Sequence, residues 1–292
     1  MTSAALALVL TSAVIHASWN FLVKRSGHKI VFFWAMAAAG LPLVTGPAIF
    51  FAVREDFGLT QLWYCLGTST LHALYAITLT RGYYLGDLSS VYPVSRGIGP
   101  ALVPLLAVLL LNETVSGWAA LGIGLVVIGI FAIQVDSRFL GDLAHPFRAL
   151  TAPAMRVAIA TGLVISCYSL WDKAGLNHDV PPLTLLLFTI IGNFVGLWPA
   201  VLWGIEPGTL RSEWDSQRRS ILTAGVIAPL GYALVLIALT TSRVSYIAPS
   251  REVGIVIGTA MGVLILGEGY GLTRIWGSLL IVAGVIALAV AP

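Results

Sequence analysis

Two arginines stand where a membrane-length apolar segment should hold no charge. Arg96 follows Tyr92-Pro93-Val94-Ser95 into an apolar run that ends at Leu111, and Arg251 follows Ile247-Ala248-Pro249-Ser250 into one that ends at Leu266. A charge inside a bilayer costs about 2.5–3.5 kcal/mol on insertion scales and marks a candidate site by default. A guanidinium offers a planar fork that fits a carboxylate or a phosphate. Pro93 and Pro249 stand just before the arginines. A proline can end one helix and begin another, whose positive N-terminal end would face the same anion. The chemistry predicted is capture of an anionic group, such as an amino-acid carboxylate. The structural alternative is an arginine that snorkels to the headgroups.

Polar and aromatic residues share faces on several other segments. His16, Trp19 and Asn20 have i, i+3, i+4 spacing, and so do Tyr168, Trp171 and Asp172, so each triplet lies along one side of a helix. His72 pairs with Tyr75 in the same way, and Tyr232 follows Pro229. A face of His, Asn, Asp, Tyr and Trp is unsuited to lipid and suits the wall of a cavity. With Tyr92, Arg96 and Arg251, these residues form the expected substrate site. Trp63, Trp118, Trp203, Trp214 and Trp276 sit near segment ends and read as interfacial belt residues.

His16, Asp172 and Glu252 are the candidates for proton coupling, which needs a group that gains and loses a proton between states. Glu252 adjoins Arg251 and could instead be its fixed counter-ion. Asp172 adjoins Lys173 near a segment end and could instead be solvated. Glu113 and Glu268 are expected to cap the helices that follow them. Zincin, nucleophile-elbow and Walker motifs are lacking from the sequence, so no catalytic site, metal or cofactor is expected, and ATP would have to be used by another chain. Cys65 and Cys167 lie inside apolar segments, which argues against a disulfide framework.

The elements that must position these residues are transmembrane helices. The chain has 292 residues, 58% hydrophobic and 10% charged, where a soluble domain carries about 25% charged. Apolar runs predict ten helices at roughly 4–23, 30–53, 60–82, 89–111, 116–135, 155–174, 182–204, 219–240, 245–266 and 272–290. The strict alternation of a membrane β-barrel is missing. The first segment, followed by Lys24-Arg25 and no small-residue cleavage site, reads as a retained helix. Nothing points to nucleic acid; the basic residues lie mostly between helices. The partners expected are a small-molecule substrate and the lipid bilayer, with the chain acting as a monomer.

The fourth and ninth segments are copies of each other. Ser95 and Ser250, Arg96 and Arg251, Gly99 and Gly254, Glu113 and Glu268, Gly122 and Gly277, and Gly129 and Gly284 are each 155 residues apart. The first and sixth segments align at an offset of 152, and the third and eighth at 157. The longer link at 136–153 divides five helices from five, giving halves of 1–145 and 146–292 in one membrane domain. An odd number of helices per half makes the halves oppositely oriented, an inverted repeat with the site expected between them. Gly254, Gly258 and Gly262, and Gly192 and Gly196, are spaced for close helix contact. Eleven Lys and Arg fall on one side of the predicted topology and three on the other. The positive-inside rule then puts both termini outside.

Asn112-Glu113 through Gly129 and Gly267-Glu268 through Gly284 each set an acidic residue before a glycine-spaced helix. With His16-Ala-Ser-Trp19-Asn20 and Gly86-Asp87-Leu-Ser-Ser-Val-Tyr92-Pro93, these stretches resemble the EamA-type exporters of the drug/metabolite transporter superfamily. Within that group the chain is similar to the YddG-type aromatic amino-acid exporters. The resemblance implies a ten-helix basket around a central cavity lined by helices 1, 3, 4, 6, 8 and 9. It also implies cytoplasmic termini, the reverse of the charge count. The expected function is alternating-access export of small metabolites across the bacterial inner membrane, amino acids first and aromatic ones favoured. The alternatives are export of cationic drugs or quaternary amines, which would use Asp172 and Glu252, and a membrane-embedded lipid enzyme.

Overall fold

Proline and short polar caps open most of the helices. The computed structural model describes residues 1–85, 88–134, 152–266 and 271–292, and the helices there are α1 (Ser3–Arg25), α2 (Lys29–Arg54), α3 (Leu59–Leu85), α4 (Leu88–Leu111), α5 (Gly117–Gln134), α6 (Pro153–Asn177), α7 (Pro182–Gly204), α8 (Pro207–Thr241), α9 (Val244–Ser250), α10 (Val253–Leu266) and α11 (Leu272–Val290). Among the described residues there is no strand. Thr2 Oγ1 accepts from the Ala5 amide at 3.2 Å and starts α1, and Ser116 Oγ accepts from Ala119 and starts α5. α6, α7 and α8 each begin on a proline, which lacks the N–H that a first helical turn leaves unused.

Among the described residues, eight apolar stretches are long enough to cross a membrane, one of them the combined α9–α10 stretch Val244–Ile265. α5 is apolar but shorter. Large apolar side chains such as Val53, Leu109, Trp203 and Leu264 lie exposed around the outside, as a lipid-facing surface requires. The five expected belt tryptophans are all exposed, although Trp63 also meets Trp171 edge-on. The protein is a multi-pass membrane protein.

Helix contacts come in matched sets. α3 packs on α7 and α2 on α8; α1 packs on α8 and α3 on α6; α4 packs on α6 and α1 on α10. Each set maps onto its partner when the two halves are exchanged. α5 and α11 cross antiparallel. A side-chain carbon at Gly122 would stand 2.7 Å from the Gly284 carbonyl oxygen, and one at Gly129 would stand 2.7 Å from that of Gly277. On α7, Gly192 rides against the Ser69 carbonyl, and Gly196 leaves only 2.7 Å to Ala73 Cα. Gly258, by contrast, faces open space.

Three local expectations are corrected. α8 starts at Pro207 rather than 219, because polar residues 207–218 continue the helix beyond its apolar part. Glu213 on that extension is buried and accepts from the His28 amide at 2.9 Å, at the start of α2. Glu113 does not cap α5. Asn112 takes a left-handed turn, φ 53°, and the Glu113 carboxylate accepts from the Val244 amide at 2.8 Å, the Ser245 amide at 3.0 Å and Ser245 Oγ at 2.5 Å. It therefore caps α9, in the other half of the chain. Glu268 lies outside the described residues. Finally, the two prolines act differently. α4 runs unbroken through Pro93, so Arg96 sits inside a continuous helix. Only the ninth segment breaks, at Arg251–Glu252, between α9 and α10.

Candidate functional site

The break at Arg251 is tight rather than open. The amides of Glu252, Gly254 and Ile255 donate to carbonyls three residues back at 2.9–3.1 Å, and that of Arg251 to Ile247 O at 3.1 Å. No ring of free amides remains there for an anion, contrary to the expectation of an exposed helix start. What the break does is redirect side chains. Glu252 turns to α4, where its carboxylate lies 3.3 Å from Arg96 Nη2 with both groups mostly buried. Glu252 thus makes its ion pair with Arg96 across the helices, with Arg251 adjoining it in sequence. The Arg251 guanidinium lies over the Tyr232 ring at 5.4 Å.

Arg251 lines a cavity of about 110 Å³. A water needs about 10–15 Å³ of such space, so the cavity takes several waters or one small organic molecule. His16 and Trp19 of α1, His72 and Tyr75 of α3, Tyr168 of α6 and Tyr232 of α8 form much of its wall. His72 stacks on Tyr168 with centroids 4.3 Å apart and meets Tyr232 edge-on at 5.6 Å. Tyr75 meets Tyr168 edge-on at 5.7 Å, and His16 meets Trp19 at 4.8 Å. Seven of the residues singled out from sequence therefore share one space.

Asp172 stands directly behind this wall. It is 0% exposed, not solvated as its position near Lys173 allowed. It accepts from Tyr232 Oη at 2.5 Å and from Thr68 Oγ1, and His72 Nε2 lies 3.5 Å away. A carboxylate buried this deeply needs such partners to stay charged. Lys173, next to it, points elsewhere and donates to the Leu239 carbonyl at 2.7 Å.

Other expected residues do not join the cavity. Trp171 donates Nε1–H to the Tyr64 carbonyl at 2.9 Å and packs on Tyr64 and Trp63 over the space left by Gly67. At about 100° per residue, Trp171 and Asp172 fall on opposite flanks of Tyr168, so the triplet splits three ways. Asn20 donates to the His16 carbonyl at 2.8 Å and lines a smaller pocket with Trp19, Lys29, Phe33 and Thr80. Arg96 reaches Glu252 rather than the cavity wall. The Tyr92 side chain lies outside the described residues.

The structure also adds walls that the expected set of six helices lacked. Phe33, Met36 and Ala37 of α2, and Leu186, Thr189, Ile190 and Asn193 of α7, line the cavity. No described residue of α4 does. A signal was available: Asn193 is the most polar residue of the apolar run 182–204, and Thr189 precedes it by four. Thr68, which holds Asp172, carried none. Among the described residues no cluster of His, Cys, Asp or Glu could hold a metal, and Cys65 and Cys167 are free thiols.

Comparison with known proteins places this architecture. A solved crystal structure superposes with a TM-score of 0.73 at 15% identity, covering 99% of this chain and 98% of that one, which shows a shared fold. The multidrug resistance protein mmr of Mycolicibacterium paratuberculosis (strain ATCC BAA-968 / K-10) is 33% identical over 87 residues, 28% of this chain and 78% of that protein. The family model described as EamA-like transporter family matches residues 153–290. A multi-pass helical protein with a polar, aromatic-walled cavity, matched in these ways, belongs to the EamA-like transporter family.

Proposed function

We propose that the protein exports small metabolites bearing a carboxylate, amino acids above all and aromatic ones in particular, across the bacterial inner membrane. One observation carries this reading. Among the described residues, the Arg251 guanidinium lines the cavity and makes no ion pair, whereas Asp172 is engaged by Tyr232, Thr68 and His72, and Glu252 pairs with Arg96. The site therefore offers a cation to a ligand. A carboxylate on Arg251, with an apolar body between Trp19, Tyr75, Tyr168 and Tyr232, matches the wall's chemistry.

Ten spans in two five-helix halves related by an inverted repeat account for the matched helix contacts and for the 155-residue offset. Transport then proceeds by one half rocking against the other around the cavity. Asp172 with His72 is the favoured proton-coupling pair, with His16 and Glu252 as further candidates. Of the three basic residues on the sparse face, Lys173 and Arg243 hold the carbonyls of Leu239 and Thr114. The remaining basic excess supports termini on the outer side.

A second reading is export of cationic drugs. The aromatic wall can hold a cation, and the mycobacterial relative is named for multidrug resistance. Uptake of labelled tryptophan and phenylalanine into proteoliposomes separates the two. Flux competed by amino acids and lost in Arg251→Ala is expected. Flux of a quaternary amine alone, indifferent to Arg251→Ala, would move the assignment to drugs.

A further inference from the structure

We infer that Thr189 and Asn193 on α7 receive the N–H donor end of the substrate, so that the cavity selects a primary ammonium as well as a carboxylate. This rests on the anion-binding reading of Arg251 and extends it to the ammonium beside the ligand's carboxylate.

Buried hydroxyls on the cavity-lining helices mostly have partners. Ser12 Oγ donates to the Gly231 carbonyl at 2.7 Å. Thr80, Thr161, Ser166 and Ser169 donate to the carbonyl one turn back at 2.8–3.0 Å, the ordinary use of a hydroxyl inside a helix. Thr189 has the same option toward Leu185 and does not take it. It is 5% exposed, and its Oγ1 is buried with no partner among the described residues. Asn193 Oδ1 is in the same condition. Both residues line the cavity, and at i, i+4 they share one face of α7. Two buried, unpartnered oxygens at the wall of a binding cavity are unfavourable until a donor arrives.

The donor's chemistry follows from the surroundings. Leu186 and Ile190 flank the pair, so this wall is uncharged. Arg251 stands on a different wall, since α7 packs on α2 and α3 while Arg251 belongs to the α9–α10 break. The Asn193 side-chain oxygen only accepts, and the Thr189 hydroxyl can accept beside it, so together they suit an N–H donor. A primary ammonium supplies three such hydrogens and also gains from aromatic faces. A quaternary ammonium has none and would leave both oxygens unpartnered. The substrate class this defines is an α-amino-acid zwitterion with an apolar side chain.

The test uses the full-length protein in proteoliposomes with labelled phenylalanine and 3-phenylpropionate, which differ by the ammonium. Wild type is expected to prefer phenylalanine. Thr189→Val and Asn193→Leu should each raise the phenylalanine KM about tenfold and leave phenylpropionate unchanged, so the preference collapses; Thr189→Ser should keep it. Should Thr189→Val fail to fold, Asn193→Ala carries the same comparison. An unchanged preference in the variants, or an equal loss for both substrates, overturns the inference. Arg251→Ala separates the two claims: flux of both substrates should be lost alike, and normal transport of both would sink the carboxylate reading while leaving the ammonium comparison legible. Flux of quaternary amines with neither carboxylate carried overturns both.

Discussion

Glu252 lies 3.3 Å from Arg96 on another helix and pairs with it rather than with Arg251, its neighbour in sequence. At the offset of 155 residues the two arginines correspond, but position 252 differs, because its counterpart is Gly97. One arginine is thereby neutralised between helices, and the other is left for the cavity. The two should respond differently to mutation. Arg96→Ala strands a buried carboxylate and should lower stability by about 3–5 kcal/mol. Arg251→Ala should leave the melting temperature in detergent near wild type and abolish transport. Combining Arg96→Met with Glu252→Leu should recover most of the lost stability. A double variant no more stable than Arg96→Ala would mean the pair is not coupled.

Asp172 should be the group through which a pH gradient acts. Asp172→Asn keeps the shape and most hydrogen bonds of the site but fixes its charge. Transport by this variant is expected to lose its response to an imposed pH gradient, measured with and without a proton ionophore. Persistent stimulation would shift the role to His16 or Glu252. Tyr232→Phe removes the 2.5 Å hydrogen bond to Asp172 and should lower stability by about 1.5–3 kcal/mol, the range for bonds to charged groups.

Glu113 fastens the end of α4 to the start of α9 through three hydrogen bonds. Glu113→Ala removes a cap that joins the two halves and should cost about 1–2 kcal/mol. Hydrogen exchange should report the loss at the amides of Val244 and Ser245, with those of α5 unaffected. Faster exchange at α5 instead would return Glu113 to the role of an ordinary cap for the helix after it.

Close helix contact makes a sharp contrast among glycines. Gly192→Ala drives a carbon into the Ser69 carbonyl, whereas Gly258→Ala enters open space. The first should cost about 1–3 kcal/mol through overpacking, and the second should change little. Thermal unfolding in detergent checks both, and equal melting temperatures would show that α3 and α7 can separate without penalty.

Much of the protein was legible in its sequence, for a physical reason. Bilayer-length apolar runs must be helical, because every backbone polar group has to be satisfied within its own segment. Polar side chains inside them must avoid lipid. Those two rules locate most of the helices and the residues His16, Trp19, His72, Tyr75, Tyr168, Tyr232 and Arg251 that meet in the cavity. What the sequence could not determine is where a side chain points once neighbours crowd it. Trp171 turned aside because Gly67 left it room on α3. Asp172 became buried because Thr68 and Tyr232 were brought to it from two other helices. Glu252 chose Arg96 over Arg251, and Glu113 chose α9 over α5. These choices depend on contacts between residues 60 to more than 150 positions apart. Only the packed tertiary structure sets such distances, and so it alone decided which of the two arginines lines the cavity.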